Sequence, residues 1–465
     1  MPIFLTSIDY IGLALYTVYL GSIIGGGWLL IRSSGKPRIW GLILLIESAA
    51  AAFSLTLMSS KYWVTGGNGI IDIGIQPLFT AVAIILIPLV VGTLIVLGTA
   101  YLTIHLTKGR SGLMGFLLPG LLIPVIFSIS TVQLISLTER AKPKTAELER
   151  ELKIVPGFTI TTFMSEPAVN PTSITFGPDN NLYVANYNGE IWAVSTVDGT
   201  SWLYASGLQV PVGLAWHDNL LYVASHGKIS ILHDEDGDNQ IDQVQDIITD
   251  LPARIYPWHA NNGIVFGPDG RIYFAVGSTS DSSPETVKYA ATILSAAPDG
   301  SDLRTFAVGV RNPYRLAFNR EGDLFATDNG PDGFTNTPGD ELNRIIENGD
   351  YGFPAYFGFP PPDTGTLPPI ALFPPHASAD GLVFYQGNQF PAEYLGNAFI
   401  TLWHLGEIYR VQLTKDANGT YTSQLSKFVT GLDAPLDLAV SPDGSIFATD
   451  FNTSVIYKIS YTGGN

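Results

Sequence analysis

Two hydrophobic patterns divide the chain. The first 137 residues carry four apolar runs, about 10–31, 39–58, 78–106 and 113–137, each as long as the roughly 20 residues that a helix needs to cross a bilayer. They predict a four-helix transmembrane domain. From about residue 156 the pattern changes to short β-rich segments that alternate apolar and polar positions and are separated by Gly, Pro, Asn and Asp, the signature of strands and hairpins. Between the two, residues 138–155 are charged and rich in helix formers after Pro143, and read as a stalk or linker.

The second region repeats. Ile174-Thr175-Phe176, Leu214-Ala215-Trp216, Ile264-Val265-Phe266, Leu316-Ala317-Phe318, Leu382-Val383-Phe384 and Leu438-Ala439-Val440 each open a β-rich unit, and their third positions are 40, 50, 52, 66 and 56 residues apart. That period suits four-stranded propeller blades with loops of varying length. Turns such as GPDNN, GPDGR and SPDGS, followed by LYVAN, IYFAV and IFATD, have the chemistry of tight hairpins. The predicted fold is therefore an all-β six-bladed propeller, residues 156–465, preceded by an α-helical transmembrane domain.

Charge orients the two parts. Residues 1–142 hold eight Lys or Arg and four Asp or Glu, a net of +4, which leaves −21 for the remainder of a chain of net charge −17. The basic loops, with Arg32, Lys36 and Arg38 and with Lys108 and Arg110, face the cytoplasm by the positive-inside rule. This places the propeller on the extracytoplasmic side of a multi-pass cell-membrane protein, with the lipid bilayer as one partner. A surface of −21 does not attract nucleic acid. The chain has no Cys, which excludes thiol catalysis, thiolate metal sites and c-type haem attachment. Glu47 lies near the middle of the second apolar run; a proton- or quinone-linked role and a neutral Glu bonded to a neighbouring helix both remain open.

The most informative stretch is residues 309–345, GVRNPYRLAFNREGDLFATDNGPDGFTNTPGDELNRI. It reads as a hairpin offering Leu316, Phe318, Leu324 and Phe325 to a core, then a Gly/Pro loop able to point carbonyls at a hard cation such as Ca²⁺. With the following IENGDYGFP, the string resembles the signature of the glucose and sorbosone dehydrogenases, sugar-oxidising six-bladed propellers that use pyrroloquinoline quinone (PQQ). The resemblance extends over about residues 156–460.

It implies PQQ and Ca²⁺ as cofactors, an aldose or sorbosone-like sugar as substrate, and a separate electron acceptor, a quinone or cytochrome. By the same resemblance His259 is the general base, Arg311 stabilises charge on the quinone, and Gln209, Asn312 and His404 contact the cofactor. The backbone carbonyls of Gly330 and Pro331 hold the catalytic Ca²⁺. His376 is a further candidate. Four positions depart from the family. Ser278 stands where an acidic residue orients the catalytic His, with Asp281 nearby, His404 stands where the family has a lysine, and Ala434 and Leu436 stand where it has arginines. PQQ carries three carboxylates, so those losses bear directly on cofactor binding.

A separate acidic turn, Asp234, Asp236, Asp238 and Asp242 in DEDGDNQID, has the spacing to wrap a structural Ca²⁺, although it lacks the terminal Glu of an EF-hand loop. A propeller that has lost catalysis and binds carbohydrate or protein is the alternative function. A Ca²⁺-dependent lactonase is a third reading, and it needs side-chain carboxylates and Asn converging on the channel.

Overall fold

A computed structural model describes residues 151–252, 261–331 and 339–463. The four apolar runs, Glu47 and the greater part of the linker lie outside the described residues, as does His259. Among the described residues no helix is long and apolar enough to cross a membrane.

Each repeat opener lies in the first strand of a separate sheet. The six sheets begin with Pro171–Phe176, Gly213–His217, Asn261–Phe266, Pro313–Phe318, Ala379–Phe384 and Pro435–Val440, here the inner strands of blades 1 to 6. Each inner strand packs against the inner strands of the blades before and after it, and blade 6 packs against blade 1, so the ring is closed. Blade 6 takes its outermost strand from the start of the propeller. Phe158–Met164 pairs antiparallel with Val455–Tyr461, and Phe158 is surrounded by Phe390, Tyr394, Phe428 and Tyr461 at ring separations of 4.7–5.0 Å.

The expected linker ends inside this fold. Lys153–Ile154 adds a fifth strand to blade 5 by pairing with Thr430 and Val429. The charged sequence around it hides a short apolar edge, Leu152, Ile154 and Val155, packed on the core of blades 5 and 6.

The core is distributed rather than central. Six apolar clusters each fill the wedge between two neighbouring blades, as Ile174, Leu182 and Val184 of blade 1 do against Phe447 and Ile456 of blade 6. The middle strands, such as Leu182–Asn186 and Ile272–Val276, are buried along their whole length because each sheet covers both faces against its neighbours, and the apolar-polar alternation belongs to the more exposed outer strands, such as Tyr421–Thr430. The expected hairpin of blade 4 is present: Leu316, Leu324 and Phe325 are buried and Leu316 faces Ala326 across the ladder.

Buried charge also lines the channel. The residue just before the aligned Ile or Leu is Ser173, Gly213, Gly263, Arg315, Gly381 and Asp437 in blades 1 to 6. A Cβ on Gly263 would lie 2.7 Å from the Tyr314 carbonyl oxygen, and one on Gly381 2.7 Å from that of Leu436, so these positions permit close approach of adjacent inner strands. Across the space they leave, the Arg315 guanidinium donates to Ser173 Oγ at 3.1 Å and pairs with Asp437 at 3.3 Å. Asp437 is fully buried and also accepts from the Ser173 hydroxyl and the Ile174 N–H. Blades 4, 6 and 1 are thereby tied across the axis.

Removing one member of such a buried pair costs far more than removing both. Arg315→Met is expected to lower the stability of the full-length chain by about 3 kcal/mol, measured by guanidinium unfolding. Arg315→Met with Asp437→Leu should recover most of that loss, and equal losses in the two variants would contradict the bridge.

Candidate functional site

The ends of the inner strands define one face of the ring. Every inner strand starts there and every second strand finishes there, which brings the loops entering strand one and leaving strand two side by side in all six blades. In blades 1, 3, 4, 5 and 6 the pairing of these two strands shifts register between the first residue of the inner strand and its aligned apolar position. Such bulges re-aim the backbone at a rim. Thr327 and Thr401 hydroxyls occupy two of these irregularities, each accepting from an N–H of its own blade and donating to a carbonyl of the next, Asp380 O and Leu436 O.

A second device recurs at this end. The last side chain of strand two accepts from the backbone amides of the entering loop: Asp328 from Arg311 and Asn312, Asp450 from Asp433 and Ala434, and Asn186 from Val169. The repeated sequences LFATDN, IFATDF and LYVANY encode it. Gln209 and Arg311 are equivalent positions, four residues before Gly213 and Arg315 in blades 2 and 4, and His259 stands four residues before Gly263 in the sequence of blade 3.

The structure therefore gathers the described site candidates on one face, but their states differ. Gln209 is exposed, and its carbonyl accepts from the His226 N–H. Arg311 is 3% exposed and committed: Nη2 to Asp281 Oδ1 at 2.6 Å, Nε to the Asp281 carbonyl at 3.1 Å and Nη1 to the Asn329 carbonyl at 3.0 Å. Asn312 is buried and accepts from Asn262 Nδ2 at 3.1 Å. His404 and His376 are exposed neighbours, with His404 Nδ1 3.2 Å from the His376 carbonyl oxygen.

Asp281 thus meets Arg311. Its loop is held by Glu285, which accepts from the N–H groups of Thr279 and Ser280 and from both their hydroxyls. Ser278 is buried, its N–H donating to the Arg311 carbonyl at 2.6 Å.

Around Gly330 the sequence reading missed a set of buried carboxylates. Asp340 accepts from the Gly330 and Ala379 N–H groups, Asp380 from Asn329 Nδ2 and the Ser378 hydroxyl, and Glu341 from Asn343 Nδ2 and the Gly358 N–H. Asp328, Glu341, Arg311, Asn329 and Gly330 line a cavity of about 10 Å³ walled on its other side by Tyr351, Phe353, Tyr356 and Phe357. Burial pushes the carboxyl of Asp328 up to about 8, with the Glu341 charge adding to it, and that of Asp380 up to about 8; burial raises Glu341 to about 7 and Asp340 above its usual range. The signal was present in the inner strand of blade 5, where Asp380 interrupts an apolar run.

The donor set tests the implied cofactors. Asn329 Oδ1 is buried without a hydrogen-bond partner, while its Nδ2 donates to Asp380 and the following Gly330 N–H to Asp340; an orphaned amide oxygen in acidic surroundings suits a hard cation. The carboxylate side of PQQ does not fit. Ala434 and Leu436 are buried at 0% and 1% exposure, and the Arg311 and Arg315 charges are already spent on Asp281 and Asp437. Elsewhere, Asp234, Asp236 and Asp242 bring carboxylate oxygens within 4.8 Å of one another. Asp238 stands apart from that group, its Oδ1 accepting from the Gln240 N–H at 2.8 Å.

Residues 195–461 match the family model described as a domain of unknown function, DUF7133. The chain belongs to the DUF7133 family. This DUF7133 protein is 27% identical over 376 residues to an uncharacterized protein of Borreliella burgdorferi, covering 73% of its own chain and 96% of the relative. It is 23% identical over 250 residues to quinoprotein glucose dehydrogenase B of Acinetobacter calcoaceticus, covering 41% of its own chain and about half, 51%, of that enzyme. The PQQ-bound aldose sugar dehydrogenase of Streptomyces coelicolor shares its fold, with a TM-score of 0.54 and 19% identity over 66% of this chain and 99% of that one.

The raised carboxyls give a signed pH dependence. A group protonated more readily when folded than when unfolded makes folding take up protons, so stability is greatest at low pH and declines as pH rises through the folded value. With Ca²⁺ removed, the melting temperature is expected to fall between pH 5 and pH 8.5 at constant ionic strength, measured by calorimetry. Ca²⁺ should reduce that fall, and a flat or rising profile would contradict the protonated cluster.

Proposed function

We propose that this chain is a membrane-anchored oxidoreductase that oxidises a neutral sugar, an aldose or sorbosone-like compound, outside the cytoplasm and passes electrons to a separate acceptor, a quinone or cytochrome. One observation carries the reading: Gln209, Arg311, Asn312, His404, Gly330 and Pro331, dispersed over about 200 residues of sequence, come to one face of one ring. The apolar runs and basic loops of residues 1–137 support the anchoring and orientation. The similarities to a quinoprotein glucose dehydrogenase and to a PQQ-bound aldose sugar dehydrogenase support the chemistry.

In this reading His259 takes a proton from the sugar hydroxyl, a task suited to a neutral imidazole. The carbonyls of Gly330 and Pro331 would hold Ca²⁺, with the orphaned Asn329 Oδ1 available as a further oxygen. Arg311 is a positioning residue: its guanidinium fixes the Asn329 carbonyl and so the backbone that presents Gly330. PQQ, if it bound here, would supply a quinone carbonyl as the hydride acceptor, and a Ca²⁺ at the Gly330 loop would supply the Lewis acidity. With Ala434 and Leu436 in place of arginines, the affinity for PQQ is expected to be lower than three paired carboxylates would give.

A second reading is favoured by the same observation that weakens the first. The committed Arg311 and the buried Ala434 and Leu436 suit a propeller that binds carbohydrate without oxidising it. Titrating the full-length chain with PQQ in excess Ca²⁺, followed by aldose-dependent reduction of an electron dye, separates the two. Saturable binding with sugar-dependent reduction supports the dehydrogenase, and His259→Ala should then abolish turnover without changing the circular dichroism spectrum. Absence of PQQ binding in the folded chain would favour the binding reading.

The acidic turn of blade 2 is proposed to hold a structural Ca²⁺ through Asp234, Asp236 and Asp242, with Asp238 turned to its own loop. Asp234→Asn and Asp242→Asn together are expected to remove one bound Ca²⁺ by isothermal titration while leaving any PQQ response unchanged. An undiminished Ca²⁺ count would reject that site.

A further inference from the structure

The hydrogen bonds around Gly330 leave Asn329 Oδ1 unmet. Both oxygens of Asp328, of Asp340, of Glu341 and of Asp380 accept hydrogen bonds. Asn329 Oδ1 accepts none, although Asn329 is only 8% exposed and lines the cavity. Native folds rarely tolerate a buried amide oxygen in that state unless a ligand, an ion or a water meets it.

Which end of the amide faces the cavity is settled at its other end. Asn329 Nδ2 donates to Asp380 Oδ1 at 2.9 Å, and the Ser378 hydroxyl donates to Asp380 Oδ2 at 3.0 Å, so both oxygens of Asp380 act as acceptors. Turning the amide over would set oxygen against oxygen and lose the bond. The backbone leaves no other freedom. The Asn329 N–H donates to the Asn312 carbonyl at 3.2 Å, the Asn329 carbonyl accepts from Arg311 Nη1 at 3.0 Å, and the Gly330 N–H donates to Asp340 Oδ1 at 2.9 Å.

This support comes from the neighbouring blade. Asp380 lies in the inner strand of blade 5, is 3% exposed, and its carbonyl accepts from the Thr327 hydroxyl of blade 4 at 2.7 Å. Asp340 reaches the same strand through the Ala379 N–H. The residues equivalent to Asp380 in blades 1, 2, 3, 4 and 6 are Thr172, Val212, Asn262, Tyr314 and Leu436, and those equivalent to Asn329 in blades 1, 2, 3, 5 and 6 are Tyr187, His226, Gly277, Trp403 and Phe451. The carboxylate and the amide thus each depart from the repeat, and they depart at adjoining places.

We propose that Asp380 is a positioning residue: by holding Asn329 Nδ2 it turns the amide oxygen into the cavity and makes it a ligand for Ca²⁺ at the Gly330 loop. The metal is then met by neutral oxygens, Asn329 Oδ1 and the Gly330 and Pro331 carbonyls, with Asp380 acting at one remove. The proposal rests on the Ca²⁺ of the reading given above and is independent of PQQ.

The test is calorimetric titration of the full-length chain with Ca²⁺, without PQQ, in the Asp234→Asn, Asp242→Asn background, which takes the acidic turn of blade 2 out of the measurement. Asn329→Ala and Asp380→Leu are each expected to lose at least about tenfold in affinity. Combined, they should lose no more than either alone, because Asp380 acts through Asn329. Asp380→Asn keeps an acceptor oxygen for Nδ2 without the charge and should retain most of the affinity. Asp380→Ala replaces Asp380→Leu in the cycle should the latter fail to fold. Ca²⁺ losses of this pattern without PQQ binding or dye reduction would remove the dehydrogenase reading and leave the role of Asp380 standing. Four results would overturn it: a loss in Asp380→Asn as large as in Asp380→Leu, additive losses, unchanged affinity in folded Asn329→Ala or Asp380→Leu, or no Ca²⁺ binding in the background chain.

Discussion

A propeller exists only if its ring closes, and here closure depends on a strand supplied from the opposite end of the sequence. Without Phe158–Met164, blade 6 would present an unpaired edge, and the wedge it shares with blade 5 would lose the aromatic residue at its centre. Every inter-blade core is built from two faces that are apolar only because a neighbour covers them, so stability is a property of the complete circle. The crossing from Arg315 to Ser173 and Asp437 acts on the same circle from within, and it draws on a guanidinium that no ligand can then use.

That constraint explains the division of labour among charged groups. Among the described residues, the channel and the Gly330 cavity concentrate Asp328, Asp340, Glu341, Asp380 and Asp437, with Arg311 and Arg315 as the buried arginines near them. Burying so many carboxylates is costly unless they are protonated, bonded to backbone amides or met by an ion. Burial favours the protonated forms of Asp328, Asp340, Glu341 and Asp380, and backbone amides meet Asp328 and Asp340. Asp328 shows the balance most clearly: its two oxygens organise the entering loop of blade 4 while burial and Glu341 oppose its charge.

The fold was legible in the sequence because the blade repeat writes itself in local chemistry. All six aligned triplets fall in inner strands, and the hairpin turns lie where Pro-Asp-Gly sequences place them. Gly330, Pro331, Arg311 and Asn312 were legible as a motif, but the state of Arg311 was not, since its partner Asp281 lies thirty residues away in another blade and no local pattern pairs them. The two-residue strand at Lys153–Ile154 was masked by the charges around it, which overrode the apolar alternation of Leu152, Ile154 and Val155.

That short strand also sets how the propeller would respond to tension. A pull arriving along the chain from its N-terminal side reaches Lys153–Ile154 before it reaches Phe158–Met164, and the first holds by two residue pairs where the second spans seven residues. The weaker ladder peels first and lengthens the tether while the clasp of the ring stays engaged. The rim of blade 5 is thus the first part of the ring to bear such a load, and losing its two-residue ladder leaves the seven-residue clasp of blade 6 paired.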